Sequence, residues 1–386
     1  MVRLGSDLLL ASSRLKGARV GVVCNHASLD RGFLHIVDRL ASAPDVILAA
    51  IFGPQHGFRS DVQDNMIETA HTDDETRRVP VYSLYSETRE PTAAMLAGLD
   101  FLVIDLQDIG ARIYTYIYTM ANCLRASARH GVRVIVCDRP NPIGGTDVEG
   151  ASLVEGFESF VGQFPIPMRH GMTIGELARL FNEHFAIGAS LEVVQMEGWR
   201  REMYSDATDL PWVMPSPNIP TLDTAIVYPG TVLFEGILIS EGRGTTRPFE
   251  LIGAPWIEAE NFARRMNALD LPGTYFRPAV FEPTFQKHAK QTCGGCQIHV
   301  TDRQTFRPVL VGAALIAMFH QVDPVRFAWR QPPYEYEHDK MPIDILAGSE
   351  TLRGQIESGL SARDIAASWT KDEEAFRTLR APFLLY

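Results

Sequence analysis

Three glutamates, two arginines and a Gly-Arg-Gly turn fall within the stretch EGILISEGRGTTRPFE, residues 235–250. Side chains of these types can cradle a phosphate, pair off on a solvated loop, or supply the acid and base of an enzyme. The phosphate reading fails on spacing. Arg247 stands where a dinucleotide fingerprint needs its third glycine, and no Walker-type sequence occurs anywhere in the chain. A serine-hydrolase reading fails as well, because there is no G-x-S-x-G elbow and Ser216 sits between prolines in PSPN. Carboxylate chemistry fits best. Glycoside hydrolysis takes one carboxyl group to protonate the leaving oxygen and usually a second as nucleophile or base. Glu68, Asp105, Asp108, Glu235, Glu241 and Glu250 are the carboxylates in or near polar clusters. Glu241 is the best placed, in a flexible turn between Ser240 and Gly242, and Arg243 could grip an anionic substrate group with two hydrogen bonds. Arg247 and Glu250 read as a surface pair.

Metal chemistry has little support. No H-E-x-x-H occurs, and the single C-x-x-C, Cys293 to Cys296, reads as a glycine turn entering the strand QIHV despite His288 and His299 nearby. No metal and no cofactor is expected. His56 in QHGF and His170 in RHGM share a His-Gly context that raises their functional weight. In DIGARIYTYIYTM, the residues Tyr114, Ile117, Tyr118 and Ala121 would share one helical stripe and form a packing face, while Arg112 and Tyr114 lie nearest the preceding strand and are candidate substrate contacts.

The elements that must position these groups alternate. ARVGVVCN, DVILAAIFG, VPVYSLY, LDFLVIDL and VRVIVCD are β-branched apolar runs separated by helical patterns, which predicts an α/β fold: a Rossmann-like, mostly parallel sheet with helices on both faces. Nearly every run ends in polar residues: Asn25; Gln55 and His56; Tyr82 and Tyr85; Asp105, Gln107 and Asp108; then Arg139 and Asn141. Ligands of open α/β sheets bind outside the carboxyl ends of the strands, so these clusters are expected to converge on one site. Thr173 followed by Glu176 is a capping box, which gives Glu176 a structural task. After Tyr228 the pattern changes to mixed helices and strands, with a buried helix over 309–319. We therefore expect domains at 1–228 and 229–386, the second a smaller α+β unit closing the cleft.

Bulk properties narrow the partners. At 386 residues two domains are the simplest expectation, and a net charge of −11 repels nucleic acid and anionic membrane surfaces. No apolar run reaches the length of a membrane helix, and the apolar run near the start is too short for an export signal. Five cysteines in a chain of this length make no disulfide framework, so a cytoplasmic location is expected.

Taken together, FGPQHGF, VPVYSLY, DLQDIGARIYTYIYTM, DRPNPIGG, PIPMRHGMTIGELA, PWVMPSPNIPTL, YPG and FEGILISEGRGTTRPFE, colinear over roughly residues 18 to 310, resemble the NamZ family of exo-β-N-acetylmuramidases. The resemblance implies a Rossmann-like N-terminal domain, a smaller C-terminal domain and a cleft at their junction. It also implies hydrolysis of terminal β-linked N-acetylmuramic acid from peptidoglycan fragments in cell-wall recycling. The lactyl carboxylate of that sugar would suit Arg112, Arg139 or Arg243, and Asn218 of the PSPN loop joins the substrate contacts. One departure is Gln55, where many relatives carry a glutamate. It moves the expected catalytic carboxylates to Glu241 and Glu68, with Glu235 third. Alternatives are a muramyl-sugar-binding protein without catalysis, or a hydrolase of another glycoside.

Overall fold

A computed structural model of the chain describes residues 1–64 and 66–386. The first two hundred residues hold strands β1 (Arg19–Cys24), β2 (Ile47–Gly53), β3 (Thr72–Asp74), β4 (Val79–Ser83), β5 (Phe101–Asp105), β6 (Arg133–Cys137), β7 (Glu149–Ser152), β8 (Pro167–Arg169) and β9 (Leu191–Val194). All but β7 and β8 join one seven-stranded sheet in the order β3-β4-β2-β1-β5-β6-β9. Only the β3-β4 pairing is antiparallel. RVGVVC of β1 and RVIVC of β6 are buried at every residue after the first, as strands covered on both faces must be. The order reverses between β1 and β5, and the open ends of β1, β2, β5 and β6 all face the same side.

Helices α1 (Gly5–Leu10), α2 (Ile36–Ser42), α3 (Ala93–Leu96), α4 (Tyr116–His130) and α5 (Ile174–Arg179) cover this sheet. The capping box of α5 is present as expected, and Glu176 also pairs with Arg201 at 2.7 Å. The expected stripe from Tyr114 is corrected. α4 starts only at Tyr116, with Thr115 as its N-cap, so Tyr114 precedes the helix.

Beyond residue 220 come α6 (Leu222–Thr231), β10 (Leu251–Ala254), α7 (Ala259–Asn267), β11 (Thr274–Phe281), β12 (Cys293–Val300) and α8 (Pro308–Val322), followed by α9 (Pro342–Ala347), α10 (Thr351–Glu357), α11 (Ala362–Ser368) and α12 (Thr370–Arg380). The three strands make an antiparallel sheet with β12 in the centre. Cys293-Gly-Gly-Cys296 is the first half of β12 and not a turn before it: Gly294 and Gly295 pair with Ala254 and Gly253 on one side and Val280 and Ala279 on the other. All five cysteines are buried free thiols. The helix α8 is buried through Phe319, and it crosses α6 where Gly230 meets Gly312. A side chain on Gly230 would run into the Pro308 carbonyl, so the glycine permits the approach that seats Tyr228, two residues earlier, in the wall of the site.

One continuous core runs from Val23 and Leu102 of the large sheet through α4 and α6 to α8 and Phe376 of α12. The opposite face of the large sheet packs a smaller core around Val20, Val22, Val103 and Ile135. The chain end is tied back to the first half. Arg380 donates to the carbonyls of Gly145, Thr146 and His170.

Candidate active site

A cleft of about 500 Å3 opens where the loop after β2, the approach to α4, the 216–219 loop, α6 and the segments carrying Glu235, Arg243 and Glu335 meet. Gln55 and His56 arrive two and three residues after the end of β2. Tyr114 and Thr115 come from the turn into α4, and Ser216 and Asn218 from the proline-fixed PSPN loop. Asn218 is held by donating to the Gln63 carbonyl at 2.9 Å.

His56 has φ 69°, and its Nδ1 lies 2.7 Å from the Val62 carbonyl. A carbonyl only accepts, so Nδ1 carries the proton and Nε2 keeps its lone pair. Burial pushes this histidine down to about 4, and the nearby Arg243 adds to that, so it is neutral across the physiological range.

Four charged groups form a chain behind and along one wall. The Arg243 guanidinium donates to Glu235, and its Nε lies 3.3 Å from Glu241 Oε1. Lys287 Nζ then sits 2.6 Å from Glu241 Oε2 while donating to the Phe234 and Ile239 carbonyls. Burial pushes Glu241 up, but Lys287 and Arg243 outweigh it and leave the carboxyl below its ordinary range. Glu241, the foremost candidate for the acid in the sequence, does not line the cleft; it is buried between Lys287 and Arg243. Gly242 and Gly244 take φ 76° and 81°, turning the backbone on both sides of Arg243. Arg243 does reach the cleft, and is the only cation lining it among the described residues.

Glu235 also lines the cleft, where its Oε2 accepts the Tyr334 hydroxyl at 2.7 Å. Beside it is a carboxyl the sequence did not flag, Glu335, only 4% exposed. Burial and the charge of Glu235 push Glu335 up to about 7, against hydrogen bonds from Tyr85 and Gln55 that favour its charged form. Gln55 accepts from the Thr115 hydroxyl at 2.8 Å through Oε1, which orients its amide N–H groups toward Glu335. Glu335 and Tyr336 are the two central residues of a tight turn closed by reciprocal 2.9 Å backbone bonds between Tyr334 and Glu337. Both have positive φ, 44° and 68°. Turns of this kind favour Asn-Gly, so two bulky L-residues there are strained, as is common at sites where function fixes the side chains.

The remaining candidates do not converge here. Arg139 pairs with Asp105 at 2.6 Å and, with Gln107, lines a separate cavity near Leu29 and Trp212. Asn25 is buried and donates to the Tyr116 hydroxyl and the Pro215 carbonyl, and Asn141 donates to the Met172 carbonyl. His170 Nε2 lies 3.3 Å from Asp108, whose other contact is the Gly110 N–H. Arg112 is wholly buried, donates to the carbonyls of Ala151, Ile166 and Leu346, and does not line the cleft. Glu68 lies at the surface, 3.0 Å from Arg89, outside the cleft. The candidates therefore do not meet at one place: Gln55, His56, Tyr114, Asn218, Glu235 and Arg243 line the cleft, Gln107 and Arg139 line the separate cavity, and Asn25, Asp108, Arg112, Asn141 and His170 line neither. Lys287, Tyr334 and Glu335 escaped the sequence reading; the one signal for the last two was the proline-led PPYEYE run. Among the described residues no group of three or more His, Cys, Asp or Glu could hold a metal ion, and no helix is long and apolar enough to cross a membrane.

The chain resembles known proteins along its whole length. Residues 20–223 match the family model described as exo-beta-N-acetylmuramidase NamZ, N-terminal, and residues 226–386 match its C-terminal counterpart. A curated relative, peptidoglycan beta-N-acetylmuramidase NamZ of Bacillus subtilis strain 168, is 46% identical over all of this chain and 91% of its own length. Two crystal structures of DUF1343 family proteins from Bacteroides fragilis cover the whole chain and 99% of their own. They superpose with TM-scores of 0.90 and 0.75, at 35% and 28% identity. With both family models and a full-length relative matched, this chain belongs to the exo-β-N-acetylmuramidase NamZ family.

Proposed function

We propose that this chain is a glycoside hydrolase that releases terminal β-linked N-acetylmuramic acid from peptidoglycan fragments, with Glu335 as proton donor and Glu235 as the second carboxylate. The observation that carries the assignment is the pair itself. Two carboxyl groups share one cleft in different environments, Glu235 ion-paired with Arg243 and Glu335 pushed up to about 7. A carboxyl raised in this way suits a proton donor, and the ion-paired carboxyl opposite it suits the second role. In the reaction the bond from the anomeric carbon to the bridging oxygen breaks. That oxygen takes the Glu335 proton, and a water adds its hydroxyl to the anomeric carbon and returns its proton to the enzyme. Arg243 is the proposed contact for the lactyl carboxylate, and the Nε2 lone pair of His56 accepts from a sugar hydroxyl.

In the proposed division at residues 228 and 229, Gln55, His56 and Tyr114 come from the first domain and Glu235, Arg243 and Glu335 from the second. The free buried thiols support a reducing, cytoplasmic setting. The test is incubation with a muramyl disaccharide and detection of free N-acetylmuramic acid by mass spectrometry. No release above a heat-inactivated control would refute the assignment.

A further inference from the structure

Outside the cleft lies a second, more open groove of about 1110 Å3, lined by Ser159, Phe160, Gln163, Arg89 and Tyr336 among others. Among the described residues Glu335 is the one side chain that lines both spaces. It stands in the partition formed by the 334–337 turn and the 159–161 segment, with Val161 facing the cleft and Phe160 the groove.

The groove has a built floor. The Arg89 guanidinium stacks 4.4 Å from the Tyr85 ring and 4.5 Å from the Tyr336 ring. Its Nη2 is anchored to Glu68 at 3.0 Å, and the Tyr336 hydroxyl reaches the same carboxylate at 3.3 Å. Tyr85 in turn packs on Phe160 with centroids 5.2 Å apart and donates to Glu335 at 3.1 Å. Tyr336 thus stays 49% exposed while held by a cation on one face and by positive φ at its backbone. An exposed ring fixed in this way, beside amide and hydroxyl groups, suits a pyranose, whose C–H face packs on aromatics while its hydroxyls meet Gln163 and Ser159. Glu87 and Glu337 on the lining disfavour an anionic occupant.

We infer that this groove is the leaving-group subsite: it takes the neutral sugar, or short oligosaccharide, on the far side of the bond from the cleft, with Tyr336 as its stacking platform. The inference rests on the muramidase reading above. It accounts for the position of Glu335, because a proton donor must reach the oxygen that bridges the two sugars. It also gives Glu68 a task, anchoring Arg89 beneath the platform.

The experiment compares kcat/KM for a disaccharide with muramic acid at its non-reducing end against methyl β-N-acetylmuramide, whose leaving group has no ring. Tyr336→Asn keeps a residue tolerant of positive φ at the turn, and Arg89→Met removes the stacked cation. Wild-type enzyme is expected to favour the disaccharide at least tenfold. Each variant should narrow that preference several-fold, with the disaccharide losing more kcat/KM than the methyl glycoside. An active wild type whose preference is unchanged in both variants, or variants that lose both substrates equally, would overturn the subsite alone. A wild type that releases muramic acid from neither compound would overturn the muramidase reading and the subsite with it.

Discussion

Glu235 and Glu335 face one cleft, and the charge of the first adds to burial in pushing the second up to about 7. A carboxyl raised in this way is neutral below that value and loses its proton above it, so the active form of a Glu335 acid disappears as pH rises. The kcat/KM profile should therefore fall on its alkaline side from near pH 7, by about tenfold per unit. The same shift means the folded protein binds more protons than the unfolded chain between the ordinary carboxyl range and about 7, so this group's contribution to stability declines as pH climbs through that window. A profile flat to pH 9 would be inconsistent with Glu335 as the donor.

Tyr85 donates to Glu335 at 3.1 Å, a bond that favours the charged carboxylate. Tyr85→Phe removes it. The alkaline limb should move upward, by a fraction of a unit to about one unit, while the plateau rate changes little. A downward shift would show that the hydroxyl acts on some other group.

Lys287 holds Glu241 and two carbonyls at once. Lys287→Met leaves a buried carboxylate with only Arg243 beside it and is expected to cost about 3–5 kcal/mol in urea unfolding. Pairing it with Glu241→Gln should recover part of that loss, because the uncompensated charge is gone. Unchanged stability in the single variant would remove Lys287 from the account of the wall.

Arg112 touches three carbonyls and no cavity we assign to substrate. Arg112→Met should lower unfolding stability by about 2–4 kcal/mol. The soluble, folded fraction should keep the wild-type KM. A raised KM with full stability would instead place Arg112 at the ligand.

The sheet was legible because β1, β5 and β6 are short, β-branched apolar runs set between helical patterns, as parallel strands covered on both faces are. The site was legible in part. Gln55, His56, Asn218, Glu235 and Arg243 stand beside glycine or proline, and they line the cleft together with Tyr114. What the sequence could not carry was the sign of each environment. Glu241 has an ideal setting in one dimension, between a serine and a glycine, yet two cations from 243 and 287 neutralise it in space. Nothing in YEYEHD marks Glu335 out from its neighbours; its turn, folded back against Tyr85 and Gln55, makes it the buried carboxyl. Asp105 and Arg139 looked available at their strand ends and proved to satisfy each other. Local composition shows which groups are present, and long-range pairing decides which remain available for chemistry.

The most direct test is the turnover of a muramyl disaccharide by wild-type, Glu335→Gln and Glu241→Gln proteins, each checked for native unfolding behaviour. Loss of a general acid lowers kcat by about 10²–10⁴-fold for a poor leaving group. That drop is expected for Glu335→Gln, with Glu241→Gln less affected in kcat than in stability. A Glu335→Gln protein that keeps a wild-type kcat, beside a folded Glu241→Gln protein that has lost its own, would contradict the assignment of the proton donor.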